Sequence, residues 1–297
     1  MLYIYQCVRL LPKYLIVRAK SVGLEIPPVN FMDNRTTVDK IINERMSLGR
    51  FGDGEFMWML GKTHNSFQDY SEKLAQDLRD AFQADNSKLL IGIPYGVFNS
   101  KGCNLYAKMH WECIRVEFLS RLRQFISFEK VYCNASITRP YIDYKDRKFS
   151  TESFINLRRI WDNKHIVIVE GEKTKLGIGN DLFENALSIK RILCPAENAY
   201  YKMDEIKASI RKNVEKDTLI LGALGPTASI LAHHLTEEGY QFVDIGHVDI
   251  EYMWYLKKEI LRTPIEGKYV NESGEKGCSG FYDCDDNYLD SIIDRIM

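Results

Sequence analysis

Residues 165–169 read His-Ile-Val-Ile-Val, and this short apolar run is the clearest indication of the fold. A run of β-branched residues without polar alternation is typical of a strand that is buried on both faces of a parallel sheet. Similar runs occur at residues 89–93, 130–133, 191–193, 218–221 and 242–245. Between them, helical patterns cover residues 71–83, 104–125, 151–162, 204–215, 227–238 and 250–261. This alternation predicts an α/β protein with a Rossmann-like, mostly parallel sheet flanked by helices.

The composition is that of a globular protein with a sizeable core. The chain has 297 residues, of which 45% are hydrophobic and 27% charged, and its net charge is -1. Because there is no basic stripe and no nucleic-acid motif, we expect no nucleic-acid partner. The seven cysteines contain no CxxC pair, and the spacing of Cys278 and Cys284 fits no common zinc site. We therefore expect reduced thiols and a cytoplasmic location.

The two ends of the chain look different from the middle. Residues 1–30 begin as a basic, amphipathic helix whose longest uncharged run is too short to cross a bilayer. We expect this segment to pack on the body of the protein, with contact at the inner face of the membrane as the alternative. Residues 31–275 are predicted to form the main domain, with a long loop at 263–284 rich in glycine and charge, and residues 276–297 a tail.

The stretch Arg50-Phe51-Gly52-Asp53-Gly54-Glu55-Phe56 follows an amphipathic, helix-like run at 37–47. If its backbone is extended, Asp53 and Glu55 point to one side and can hold Mg²⁺ or Mn²⁺. Gly52 and Gly54 permit a tight turn and close approach of a ligand. Arg50 offers a planar cation suited to phosphate. The alternative is an ordinary turn with solvated charges.

Two further predicted strands are followed by glycine-rich segments. Residues 170–181 form a charged loop that includes Asn180, and residues 222–227 lead through Gly225 and Pro226 to Thr227 at the start of a helix. A helix N-terminus offers free N–H groups to an anion, so Gly225 and Thr227 are candidates for phosphate or ribose binding. Plain helix capping and an ordinary connection are the competing interpretations.

After the apolar run 242–245, the side chains of His247, Asp249 and Glu251 alternate with apolar residues. If extended, they share one face at a strand end, where they could bind metal or act as a general base. The alternative is a solvated edge followed by the acidic first turn of a helix.

Four longer segments resemble one protein family. Residues 50–56 (RFGDGEF), 166–183 (IVIVEGEKTKLGIGNDLF), 188–198 (SIKRILCPAEN) and 222–251 (GALGPTASILAHHLTEEGYQFVDIGHVDIE) are together similar to bacterial glycosyltransferases of the GT-D fold, and residues 138–145 (TRPYIDYK) look similar too. The resemblance covers roughly residues 37–271. It implies transfer of a sugar from a nucleotide diphosphate donor, usually UDP-linked. The family does not specify the sugar or the acceptor, and we expect a hexose and a hydroxyl of a glycan or glycoprotein.

The resemblance also implies roles for particular residues. The family's Asp-x-Glu motif, which binds metal and diphosphate, falls on Asp53 and Glu55, and its last acidic and histidine cluster on His247, Asp249 and Glu251. For an inverting transfer, Glu251 is the first choice as general base and Asp249 the second, with His247 orienting one of them or contacting phosphate. Independently of the resemblance, the chemistry of Arg50 and of the 225–227 amides suits hydrogen bonds to the diphosphate, and Asn180 is a further candidate for binding the nucleotide sugar.

Two other functions compete with this hypothesis. A metal-dependent phosphohydrolase or nucleotidyl enzyme would use the same carboxylates to activate water. A non-catalytic nucleotide-binding subunit would bind the ligand without turnover. Three tyrosines are candidates for stacking on a sugar or uracil ring, namely Tyr95, Tyr141 and Tyr144.

Overall fold

The computed structural model describes residues 2–21, 28–62, 67–269 and 286–297. Within these ranges, a single sheet of nine strands runs through the molecule in the order β1-β4-β3-β2-β8-β7-β5-β6-β9. The strands are β1 (Asn30–Phe31), β2 (Ser47–Arg50), β3 (Leu89–Ile93), β4 (Val131–Asn134), β5 (His165–Gly171), β6 (Ser188–Cys194), β7 (Leu219–Ala223), β8 (Gln241–Asp244) and β9 (Ile292–Arg295). Each neighbouring pair is parallel, which confirms the predicted fold class.

Helices cover both faces of the sheet. They are α1 (Leu2–Lys20), α2 (Asn34–Asn43), α3 (Asp53–Met59), α4 (Glu72–Gln83), α5 (Tyr95–Phe98), α6 (Leu105–Leu122), α7 (Lys148–Arg158), α8 (Met203–Asn213), α9 (Pro226–Glu237), α10 (Val248–Leu256) and α11 (Asp286–Asp290), with short 3-10 turns at Ala135–Thr138 and Ala199–Lys202. Side-chain caps define two of these starts. Ser71 Oγ accepts from Leu74 N at 3.1 Å before α4, and Asp33 Oδ1 accepts from Thr36 N at 2.9 Å before α2.

The alternation of side chains along β5 explains why its sequence is apolar throughout. Val167 and Val169 belong to the core that also contains residues of α3, α4, α8 and α9. Ile166 and Ile168 belong to the opposite core, which contains residues of α2, α7 and α10. Successive side chains of a strand point to opposite faces, so a strand covered on both sides needs apolar residues at every position.

The chain changes direction across the sheet at the contact between β2 and β8. From β2 it proceeds outward through β3 to β4, and it later returns inward through β7 to β8. Helix α9 packs closely behind this point, where a Cβ on Gly49 would lie 3.4 Å from Ser229 O and 3.6 Å from Ala232 Cβ. The carboxyl ends of strands beside such a reversal are where open α/β sheets bind ligands.

Several predicted boundaries differ from the structure. The helix-like run 37–47 is divided, because α2 ends at Asn43 and β2 begins at Ser47. Residues 292–295, predicted as part of a tail, form β9 and pair with β6. Of the predicted loop 263–284, residues 263–269 contain no helix or strand, and residues 270–284 lie outside the described residues.

Helix α1 packs against α6, and the hydroxyl of Tyr3 accepts a hydrogen bond from Tyr106 N at 3.3 Å. Large apolar side chains on its other side are exposed, namely Ile4, Tyr5, Val8, Leu11, Leu15 and Ile16. None of the described helices combines the length and the hydropathy that a bilayer crossing requires.

Candidate functional site

A cavity of about 660 Å³ opens at the carboxyl ends of the central strands. We call it the central cavity. Its lining includes Gly52 to Glu55 after β2, Leu224 and Gly225 after β7, and Gly246 and His247 after β8. The strand order therefore brings together segments that are up to about two hundred residues apart in the sequence.

Asp53 and Glu55 lie in a helix and not in an extended segment, so the predicted shared side is wrong. Gly52 is the N-cap of α3, and Glu55 Oε2 accepts a hydrogen bond from Gly52 N at 2.7 Å. Side chains two positions apart in a helix point to nearly opposite sides, because each residue turns the helix by about 100°. Both side chains nevertheless line the central cavity, and Asp53 Oδ2 lies 3.3 Å from His110 Nε2 of α6.

The first turn of α3 contains two carboxylates, those of Asp53 and Glu55. Burial, helped by the nearby carboxylates of Asp244 and Asp53, raises the pKa of Glu55 to about 7, although hydrogen bonds from the backbone amides of Glu55 and Gly52 oppose this effect. A divalent cation would relieve this repulsion, so the donor set fits the predicted Mg²⁺ or Mn²⁺. Among the described residues, no group of three His, Cys, Asp or Glu side chains could hold a metal ion. Asp53 and Glu55 would therefore share such an ion with ligand or water oxygens.

The guanidinium of Arg50 is used mainly for hydrogen bonds within the protein, at the carboxyl edge of the sheet. Its Nη2 contacts Asp244 Oδ1 at 3.0 Å, and its Nε donates to Asp244 O at 3.0 Å. Its Nη1 donates to Ala135 O at 3.0 Å and to Thr138 Oγ1 at 2.8 Å. Since a guanidinium has five N–H donors, these four bonds leave at most one for the predicted phosphate contact. Burial raises the pKa of Asp244, although Arg50 opposes this effect.

Gly225 is placed at the central cavity, whereas Thr227 is not. Gly225 precedes Pro226 at the start of α9, has φ of 55°, and lines the cavity. A Cβ at this position would lie 2.2 Å from the ring of Phe67. Thr227 is fully buried and does not line the cavity. The positive end of α9 therefore reaches the cavity at Gly225, as anion binding would require.

The loop 170–181 is fixed by buried ionic contacts. Glu170 is fully buried, pairs with Arg191 Nη1 at 2.5 Å, and accepts from Leu176 N at 2.7 Å. Burial raises the pKa of Glu170 against the opposing effect of Arg191. Asn180 does not line the cavity, and its Nδ2 donates to Asp249 Oδ1 at 2.7 Å. Asn180 thus supports the loop beside the cavity in this structure.

The predicted common face of His247, Asp249 and Glu251 is wrong, because α10 begins directly after His247. Of the three, His247 lines the cavity, while Asp249 and Glu251 are fully buried. Asp249 accepts from Gly177 N at 2.9 Å and contacts Lys268 Nζ at 2.5 Å.

Glu251 faces the segment that follows β4. Its Oε2 accepts from Ile142 N at 3.1 Å, and its Oε1 lies 3.5 Å from Arg139 Nε. Arg139 in turn lines the cavity. Glu251 therefore reaches the site through Arg139, whereas a general base must touch the acceptor hydroxyl.

Several polar residues that line the cavity were not predicted from the sequence, among them Asp244, His110 and Arg262. Asp244 is the last residue of β8 and is buried. A carboxylate within an otherwise apolar strand was a signal in the sequence, because a buried charge requires a partner. His110 and Arg262 come from distant segments, and the latter pairs with Asp143 Oδ1 at 2.7 Å. Nothing in their local sequence distinguishes them from surface residues.

The sequence matches one family model and two curated glycosyltransferases. The model of the family "Glycosyltransferase GT-D fold" matches residues 48–273, which confirms the predicted resemblance. Glycosyltransferase GlyD of Streptococcus pneumoniae serotype 4 is 34% identical over 275 residues, which cover 92% of this chain and 33% of that protein. The probable glycosyl transferase Gly of Streptococcus gordonii is 33% identical over 267 residues, covering 88% and 38% respectively. The chain thus spans about a third of the length of these relatives.

Solved structures share the same architecture. A structure described as a new glycosyltransferase from Streptococcus sanguinis has 31% identity and a TM-score of 0.84, covering 91% of this chain and all (100%) of its own. A domain of unknown function described as having a distinct glycosyltransferase fold has 33% identity and a TM-score of 0.84, covering 96% and 100%.

Proposed function

This chain belongs to the glycosyltransferase GT-D fold family, and on that premise we propose that it transfers a hexose from a nucleoside diphosphate donor, UDP-linked, to a hydroxyl of a glycan or glycoprotein. The observation that carries the proposal is the central cavity itself. Asp53 and Glu55 face it from one side of the β2–β8 reversal, and Gly225 presents a helix N-terminus from the other. A cation-binding pair opposite an anion-binding helix end is suited to a diphosphate.

In the proposed reaction, an acceptor oxygen bonds to the anomeric carbon of the hexose with inversion. The bond from that carbon to the diphosphate oxygen breaks, and the electron pair leaves with the nucleoside diphosphate. Mg²⁺ or Mn²⁺, when bound by Asp53 and Glu55, supplies neutralisation of the charge that develops on the leaving group. The N-terminus of α9 at Gly225 adds a positive dipole end to the same anion.

The acceptor hydroxyl must also lose a proton. We assign removal of this proton to His247 as the general base. His247 lines the cavity, whereas the carboxylates of Glu251 and Asp249 are buried and hydrogen-bonded. Glu251 then positions Arg139, and Asp249 positions the loop that contains Gly177. The sequence favoured Glu251 as the base, and the observed burial favours a positioning role.

The proposal is tested by a thermal-shift screen of nucleotide sugars with and without Mn²⁺. A true donor at 100 times its dissociation constant should stabilise the protein by about 2.7 kcal/mol. Asp53→Asn should remove the cation dependence and lower transfer by roughly 10²-fold. Donor binding that needs neither the cation nor Asp53 contradicts the proposal.

The same assay separates the two competing functions. A phosphohydrolase would release free sugar or phosphate faster than it transfers sugar to any acceptor. A nucleotide-binding subunit would be stabilised by the nucleotide and show no turnover on a wide acceptor panel.

We also propose that α1 contacts the inner face of the membrane as a peripheral anchor. Residues 2–20 contain four cations and no acidic residue, and the exposed apolar side chains lie on the same helix. Together these features suit an anionic bilayer surface. The protein should float together with anionic vesicles. The double variant that combines Val8→Glu with Leu15→Glu should lose this vesicle binding. Equal flotation of both proteins would refute the contact.

A further inference from the structure

A second cavity of about 400 Å³ adjoins the central cavity, and we propose that it binds a pyranose unit of the acceptor. The inference rests on the proposed function, because it assigns the side from which the acceptor hydroxyl enters. Four residues line both cavities, namely Trp111, Ser136, Arg139 and Asp143. The two cavities are therefore neighbours that share one wall.

The lining of this second cavity has the chemistry of a neutral sugar site. Aromatic side chains contribute apolar surface from several elements, including Tyr95 of α5, Trp111 of α6 and Phe149 of α7. The C–H face of a pyranose packs against such rings. Asn34 and Lys101 add polar groups that can bond sugar hydroxyls. Apolar walls with a few polar groups are typical of small-ligand sites.

The key ring is held in place before any ligand arrives. The ring of Tyr95 makes an edge contact with Phe31, with centroids 5.0 Å apart. Its hydroxyl accepts a hydrogen bond from Asn99 Nδ2 at 2.8 Å. Tyr95 is still 37% exposed, which leaves a face for a ligand. Because the ring is already fixed, binding a sugar would cost little side-chain entropy.

Residues of the shared wall can orient the acceptor hydroxyl toward the donor in the central cavity. Asp143 faces both cavities and is paired with Arg262, so its carboxylate can orient a hydroxyl without leaving a charge uncompensated. Trp111 is fixed from behind, since a Cβ on Gly96 would lie 2.6 Å from its ring. Asp143 is paired with Arg262, and Arg139 lies near Glu251. The two other charged residues of the lining, Asp33 and Lys101, have opposite signs, so the second cavity favours an uncharged hexose unit over a phosphate or an acidic sugar.

The experiment measures hexose binding and nucleotide binding separately on the full chain. Saturation-transfer NMR with methyl glycosides of glucose, galactose, mannose and N-acetylglucosamine, in the presence of UDP and Mg²⁺, reports the sugar. Calorimetry with UDP reports the donor site. The variants are Tyr95→Ala, Tyr95→Phe and Phe149→Ala, and Tyr201→Ala is the matched control because Tyr201 is 59% exposed and lines neither cavity.

We expect at least one hexoside to bind the wild type, and Tyr95→Ala and Phe149→Ala to weaken it roughly fivefold or more. Tyr95→Phe and Tyr201→Ala should bind it as the wild type does, with UDP affinity equal in all variants. Undiminished hexoside binding in both alanine variants overturns the inference, as does a wild type that binds UDP and no hexoside. A wild type that binds a hexoside through Tyr95 and Phe149 but no nucleotide would refute the donor proposal alone.

Discussion

Replacing Arg50 with methionine should destabilise the fold strongly, because the arginine neutralises a buried carboxylate. The side chain of Asp244 is 4% exposed and that of Arg50 12%, and four guanidinium hydrogen bonds would be lost. Removing one partner of a buried ion pair typically costs about 3–5 kcal/mol. Urea unfolding followed by tryptophan fluorescence would measure this loss in the free energy of unfolding. Arg211→Met is the matched control, since Arg211 and Glu238 form an exposed pair, and its effect should be much smaller.

Two further measurements test whether the loss comes from the unpaired carboxylate of Asp244. Adding Asp244→Asn to Arg50→Met should recover part of the lost stability, because the unpaired charge is then gone. Since burial raises the pKa of Asp244 in the folded protein, its charged form opposes folding. The deficit of Arg50→Met should therefore shrink as the pH falls and the carboxyl takes up a proton, and the double variant should lack this trend. A loss below about 1 kcal/mol, or no recovery in the double variant, would refute the account.

Three other predictions concern the cavity. Because the pKa of Glu55 is about 7, the Mn²⁺-dependent affinity for UDP, measured by calorimetry, should fall about tenfold from pH 8 to pH 6. Glu55→Gln should bind UDP weakly at both pH values. A wild-type affinity that does not change with pH would contradict the role of Glu55 as a metal ligand. Gly225→Ala should cost about 1–3 kcal/mol of stability and weaken nucleotide binding because of its φ and the Phe67 ring, whereas Gly239→Ala, where a Cβ meets nothing within 4 Å, should leave binding unchanged. Glu251→Gln should slow transfer and preserve UDP affinity, and a collapse of UDP binding would instead place Glu251 at the donor.

Most of the fold could be predicted because its strands are buried on both faces. The run 89–93 coincides with β3, and the other five predicted runs overlap strands of the sheet. β2 was missed because Ser47-Leu-Gly-Arg contains one large apolar residue, and Gly49 serves the close approach of α9. β9 was missed because it is a half-buried edge strand of four residues. Such strands depend on tertiary contacts more than on their own composition.

The positions of candidate site residues were more predictable than their geometry. Predicted strand ends pointed to Gly225 and His247, whereas the glycines and charges of the stretch 50–56 pointed to Arg50 and residues 52–55. The structure brings all of these to one cavity. The alternation argument failed at Asp53 and at Asp249 because a helix starts at or just before each. Carboxylates in a first helical turn are stabilised by the helix dipole, so acidic residues at these positions are compatible with a helix start as well as with an extended segment. His110 and Arg262 could not have been found, because only packing brings them to the cavity.

Three buried ion pairs lie behind the loops of the central cavity, and their common position suggests a common purpose. Arg50–Asp244 ties the ends of β2 and β8 together, Glu170–Arg191 holds the loop after β5, and Asp249–Lys268 joins the segment 263–269 to α10. Buried pairs contribute little net stability compared with apolar packing, so their value lies in geometry. Glu170 and Asp249 also accept the neighbouring amides of Leu176 and Gly177. The loop is thus fixed before a ligand binds, which reduces the entropy that nucleotide binding must lose.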